Sequence, residues 1–271
     1  MIFNTLIKNK ADIIKSALFL RRFAPVVRLE SFVTPLVSTW GFFYICGMAT
    51  LKDIVKAMEA KGYEVDKRPY ALNVVGIRNS KPVSQDRYDD EIAYFYYDDN
   101  GRLQGKVAVG TTDPSTYFLK NPMNEGGAAI LKGGQYKGAY TIGTHAGKYT
   151  ALVQRAAPVT VIRDGDRDGY TNFLNATDTG YFGINIHRST RTKNDATLIG
   201  RDSAGCQVFQ NEADFNEMMR LAHKSKDKYG NKFTYTLLDD KDAERTRNTW
   251  IVLVGGLAGL SYLLYRILRA K

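Results

Sequence analysis

The chain has 271 residues, 44% of them hydrophobic and 24% charged, a globular composition that excludes the disordered, collagen-like and low-complexity classes. Two cysteines exclude a disulfide framework and a zinc ribbon. The net charge of +10 suggests nucleic acid until its placement is read: +4 lies in residues 1–47, +3 in residues 250–271, and only +3 between them. Basic residues beside apolar runs describe membrane segments, so no nucleic-acid partner is expected.

Residues 1–47 form a basic and apolar leader, with Lys8, Lys10, Lys15, Arg21, Arg22 and Arg28 leading into an uncharged stretch over residues 32–49. It reads either as a signal-like segment or as sequence upstream of a start at Met48. Residues 48–69 carry an N-terminal helix: Thr50 suits the cap, Leu51, Ile54, Val55 and Met58 recur at helical spacing, and Gly62 ends it.

From residue 70 to 238 the texture changes to short β-prone runs, at 70–78, 91–97, 103–110, 128–131, 150–154, 158–162, 180–186 and 233–238. Asp98-Asp-Asn-Gly101 reads as the turn of a hairpin. Strands at this cadence predict a mainly β domain, a sandwich or barrel-like sheet pair. One helix interrupts it over residues 211–223, capped by Asn211, with Phe215, Met218, Met219 and Ala222 on its apolar face. Residues 239–249 read as a polar linker. The uncharged run from Trp250 to Tyr265, extended to Leu268 past a snorkelling Arg266, reads as a transmembrane helix over residues 250–268. A buried C-terminal helix is the alternative. Arg266, Arg269 and Lys271 place the tail on the cytoplasmic side.

The chemistry-bearing segments are Gly183-Ile-Asn-Ile-His187-Arg188 and Asp202-Ser203-Ala-Gly205-Cys206. A Cys after small residues can be approached by a substrate, and neighbouring backbone N–H groups can face an oxyanion. Thiolate formation needs a base, which His187 supplies if the fold brings the two together. On spacing alone an inert buried thiol and a structural His fit as well.

His187, a 15-residue gap, then Ser203, Gly205 and Cys206 resemble the signature of the L,D-transpeptidase catalytic domain (YkuD) family. The runs Val107-Ala-Val-Gly-Thr-Thr112 and Gly133 to Gly143 are similar to earlier segments of that family, and the resemblance covers roughly residues 70–238. Three departures stand in the core: Ala204 replaces the His before Gly-Cys, Gln207 replaces a hydrophobic residue, and Val208 stands where a polar residue normally follows. The resemblance implies a YkuD-like β-sandwich with one short helix after the Cys. It implies a Cys206 thiolate that attacks a carbonyl of a peptidoglycan stem peptide to give a thioester, with His187 as base. It also implies Cys206 and Gly205 N–H groups at the oxyanion, Ser203 in support, and the Arg188 carbonyl fixing the imidazole. An amine acceptor makes the enzyme a transpeptidase; water makes it a carboxypeptidase or endopeptidase, as in phage lysis. An inactive wall-binding membrane protein is the reading from a different class.

No cofactor is expected. Asp164, Asp166 and Asp168 with Gly169 match the first half of a Ca²⁺ loop, but Asn175 stands where a bidentate Glu belongs, so a metal-free Asp/Gly turn is preferred and Ca²⁺ is the alternative. His145 and His223 show no ligand spacing, so a catalytic zinc is not expected. Together these readings describe a membrane-anchored cysteine enzyme whose body faces the cell wall outside the cytoplasm.

Overall fold

The computed structural model describes residues 49–80, 86–190 and 197–242. Both the leader and the expected transmembrane segment lie outside the described residues. Among those described, no helix is long and apolar enough to cross a membrane.

The first helix, α1 (Leu51–Ala60), begins as its sequence directs. Thr50 accepts from the Asp53 N–H and the Asp53 carboxylate accepts from the Thr50 N–H, a reciprocal cap. The strands that follow are β1 (Asn73–Arg78), β2 (Asp90–Tyr97), β3 (Leu103–Thr111), β4 (Ala128–Leu131), β5 (Gly134–His145), β6 (Tyr149–Gln154), β7 (Val159–Asp164), β8 (Thr177–Gly180), β9 (Ile186–Arg188), β10 (Gln207–Phe209) and β11 (Phe233–Asp239). Between them lie a short helix α2 (Thr116–Lys120) and the long α3 (Glu212–Tyr229).

The mainly β expectation is what the fold shows. The sheet, however, closes on itself in the order β1-β11-β5-β6-β9-β10-β3-β2, and a three-stranded sheet, β4-β7-β8, stands as the second sheet. A closed barrel replaces the two open layers of a sandwich because β1 finds partners on both sides, parallel β11 and antiparallel β2, which removes the free edge. Strands β2 and β3 form the expected hairpin, in register from Tyr97↔Leu103 to Asp90↔Gly110.

Both faces of β1 are buried, and this explains its unbroken apolar run. Val74 joins the main core with Tyr94, Tyr140, Tyr235 and Phe209, whereas Val75 and Ile77 meet Ile54, Val55 and Met58 of α1 on the other face. Helix α3 packs Phe215, Met218, Met219, Leu221 and Ala222 into the main core. It runs 18 residues, to Tyr229, not the short helix expected, since Leu221, Ala222 and Ser225 continue its buried face.

Two other readings change. The 12-residue β5 is a strand that the sequence pattern conceals, because Gly134, Gly138 and Gly143 interrupt it. The run 180–186 divides: β8 belongs to the small sheet and β9 to the barrel, so residues 181–185 pass from one sheet to the other.

Candidate active site

Strands β9 and β10 lie side by side in parallel, with Ile186 opposite Gln207, His187 opposite Val208 and Arg188 opposite Phe209. The Gln207 N–H donates to the Asn185 carbonyl at 2.9 Å, so Cys206 enters the ladder beside Asn185. Gln207 and Phe209 turn into the barrel, where the Tyr235 hydroxyl donates to Gln207 Oε1 at 2.6 Å and Phe209 meets Tyr94 and Phe215. Cys206 takes the opposite face and packs against the cluster of Tyr88, Ile199 and Val208. Alternation along a strand puts His187 on that same face. Cys206 and His187 are thus diagonal neighbours across one strand pair, a separation that a ring can bridge.

His187 is 1% exposed, and its protonation is set by its neighbours. Nδ1 lies 2.8 Å from the Arg188 carbonyl, which can only accept, so Nδ1 carries the proton. The Tyr149 hydroxyl donates to the same carbonyl at 3.1 Å. Nε2 is left as a buried lone pair with no hydrogen bond among the described residues. Burial, and then the adjacent ring of His145, lower the imidazole pKa to about 4.

Cys206 is half-buried, with its thiol donating to the Gly183 carbonyl at 3.5 Å. Desolvation pushes the thiol up to about 11, opposed by the Asn185 backbone N–H, which favours the thiolate. Near neutral pH both partners are therefore uncharged. An attack by this sulfur would pass its proton to Nε2 in the same step, rather than beforehand.

The turn that presents the sulfur is tied from below. Ser203 is fully buried; its hydroxyl lies 2.8 Å from the Asp113 carbonyl and 2.9 Å from the Cys206 carbonyl, and accepts the Gly205 N–H at 3.1 Å. This corrects the expected role of Gly205: its N–H is engaged by Ser203 and is not a free oxyanion donor. Gly205 is required for another reason. It holds φ at +124°, and a Cβ there would stand 2.1 Å from the Ala129 carbonyl oxygen on β4.

Gln207, the departure from a hydrophobic residue, is accounted for by its partners. Its amide nitrogen donates to the Thr112 carbonyl at 3.3 Å and the Gly205 carbonyl at 3.2 Å. Buried Arg78 donates to that same Thr112 carbonyl at 2.8 Å. Arg188 contributes to the site only through its carbonyl; its guanidinium pairs with Glu212 of α3 at 3.3 Å and lies over the Tyr149 ring.

Three residues enter the site in roles that the sequence does not indicate. Tyr149 and His145 sit opposite each other at the end of the β5–β6 hairpin. Asp202 ties the loop after β9 to the Cys turn, accepting from Ser189 Oγ at 2.6 Å, Tyr88 OH at 3.0 Å, and the Thr190 N–H and hydroxyl. Burial raises its pKa, but these bonds outweigh burial and hold the carboxyl below its ordinary value. Only Asp202 adjoins a motif in the sequence; the hairpin residues reach the site through barrel closure.

The Asp-rich turn follows β7. Asp164 accepts from the Asn172 N–H at 2.8 Å, Asp166 from the Asp168 N–H at 3.2 Å, and Asp168 from the Tyr170 N–H at 2.7 Å. Their oxygens are thus engaged in closing the loop on itself. Among the described residues, no three His, Cys, Asp or Glu side chains stand together as metal ligands do.

Set against protein-family models, curated proteins and solved structures, the chain matches none of them.

Proposed function

We propose that the protein carries out cysteine-dependent acyl transfer on peptidoglycan stem peptides, with Cys206 as nucleophile and His187 as base. The observation that carries the reading is the buried, unprotonated and unpartnered Nε2 of His187 on the same strand-pair face as the Cys206 thiol. A structural His would place both ring nitrogens in hydrogen bonds. The substrate class comes from the resemblance of the His187 and Ser203-Ala-Gly205-Cys206 segments to the YkuD family.

In the first half-reaction Sγ forms a bond to the donor carbonyl carbon while the thiol proton moves to His187 Nε2. The oxyanion is held by the Cys206 N–H, since that of Gly205 is engaged. Collapse breaks the C–N bond, Nε2 returns the proton to the leaving amine, and a thioester remains on Cys206. An acceptor amine then attacks the thioester, giving up its proton through His187 to the departing sulfur. Water in place of the amine gives hydrolysis at the same site. Anchored by residues 250–268, the body faces the wall outside the cytoplasm.

Intact-protein mass spectrometry tests the chemistry. Wild-type protein gains the mass of an acyl group with a tetrapeptide donor or a carbapenem, and Cys206→Ala gains none. A wild-type protein that stays unmodified under both conditions overturns the proposal. Cross-linked muropeptide dimers in the products distinguish transfer from hydrolysis.

A further inference from the structure

The ring of His145, from the end of β5, lies flat on that of His187, with centroids 4.0 Å apart and planes within 20° of parallel. Asn185 fixes how it faces. Asn185 Oδ1 accepts the Gln154 N–H at 2.9 Å, so its amide nitrogen must be the donor to His145 Nδ1 at 3.0 Å. Neutral His145 therefore carries its proton on Nε2, the opposite tautomer to His187. The Tyr149 ring leans on His145 at 5.6 Å, and Tyr149 also braces the Arg188 carbonyl that holds His187.

The Arg188 carbonyl at 2.8 Å and the Tyr149 hydroxyl at 3.2 Å both meet Nδ1, at one end of the ring, so they set the tautomer only while the ring does not tilt away from them. A flat ring against one face removes that tilt. Ala204 beside Cys206 has no imidazole to offer, and His145 brings one from 42 residues before His187.

We propose that His145 is a positioning residue for the chemistry of Cys206, its Asn185-keyed ring packing on His187 so that the base keeps one orientation on the face it shares with the thiol. The proposal rests on the acyl-transfer reading above. The groups facing the ring pair are Lys148 and Tyr149 from the β5–β6 hairpin, Arg188 from β9, and Asp202 from the Cys turn. Among them only His145 lies ring to ring on His187.

Full-length protein labelled at histidine tests this through long-range ¹H–¹⁵N spectra, which read both tautomer and titration of His187. Wild type should show Nδ1 protonated, and His145→Ala should mix the tautomers and raise the titration by about one pH unit, as water reaches the ring. His145→Phe keeps a flat ring without a second imidazole and should preserve the wild-type tautomer. With a carbapenem, His145→Ala should lower the acylation rate by up to about 100-fold, the cost of a misdirected reacting group, with little change in the half-saturating concentration. His145→Phe should recover most of that loss. His145→Ala with a wild-type tautomer, titration and rate overturns the proposal. Wild-type protein that forms no adduct overturns the acyl-transfer reading instead, and the His187 tautomer in the two variants still upholds or overturns the positioning.

Discussion

Cys206 and His187 sit on opposite sides of neutrality, the thiol pushed up to about 11 by desolvation and the imidazole down to about 4 by burial and His145. A pre-formed thiolate–imidazolium pair would require the reverse order, so in the proposed mechanism the base works as an uncharged Nε2 during attack. This sets the pH dependence. Activity needs His187 unprotonated, and its ordinary value is 6.5, so an unperturbed base would lose activity as pH falls through 6.5. Here kcat/KM should stay level from pH 7 to about 5 and fall only as pH drops through about 4, close to tenfold per unit below it. A profile of carbapenem acylation against pH checks this, and an acid limb near 6.5 would mean that water reaches Nε2.

At the scale of elements, the turn from Ser203 to Cys206 depends on a backbone shape that only glycine takes easily. Gly205→Ala forces a side chain into φ +124° and drives a Cβ to 2.1 Å from the Ala129 carbonyl oxygen. The strain alone is about 1–3 kcal/mol, and relieving the contact must move the Cys turn or β4. A urea-unfolding midpoint well below wild type, together with loss of acylation, is the expected outcome; an unchanged midpoint would show that the turn relaxes freely. How much was legible follows the same elements. The Thr50 cap, the β2–β3 hairpin and the start of α3 are local patterns and read directly from residues. β9 and β10 are three residues each, too short for alternation to register, although they set His187 diagonally across from Cys206. β5 hides behind its glycines, and with it His145, whose stacking on His187 exists only once β5 and β6 have joined the barrel wall beside β9. Gln207 read as an anomaly because its partners, Tyr235 and the Thr112 carbonyl, come from distant strands.

For the molecule as a whole, the site is built into the barrel wall, so its chemistry is linked to folding. His187 binds its proton at about 4 when folded and at 6.5 when unfolded. Between those values the unfolded chain holds the extra proton, so the contribution of His187 to stability is fully present above pH 6.5 and is lost as pH falls toward 4. The slope is about 1.4 kcal/mol per pH unit, near 3 kcal/mol across the window. Asp90 acts in the opposite sense. Burial and the neighbouring Asp113 carboxylate raise it well above its ordinary 3.8, so its contribution is present below 3.8 and is lost as pH rises through its folded value. Across the acid range the two groups therefore pull stability in opposite directions. Replacing one of them separates the terms, because the other titrates alike in both proteins. In His187→Gln the acid-side loss should vanish, so on acidification from pH 7 to 4.5 the variant should gain about 2 kcal/mol of stability relative to wild type. Urea denaturation of both proteins at the two pH values gives the difference directly. Parallel stability curves for the two would mean that the buried ring binds its proton as readily folded as unfolded, and the neutral-base mechanism would lose its physical ground.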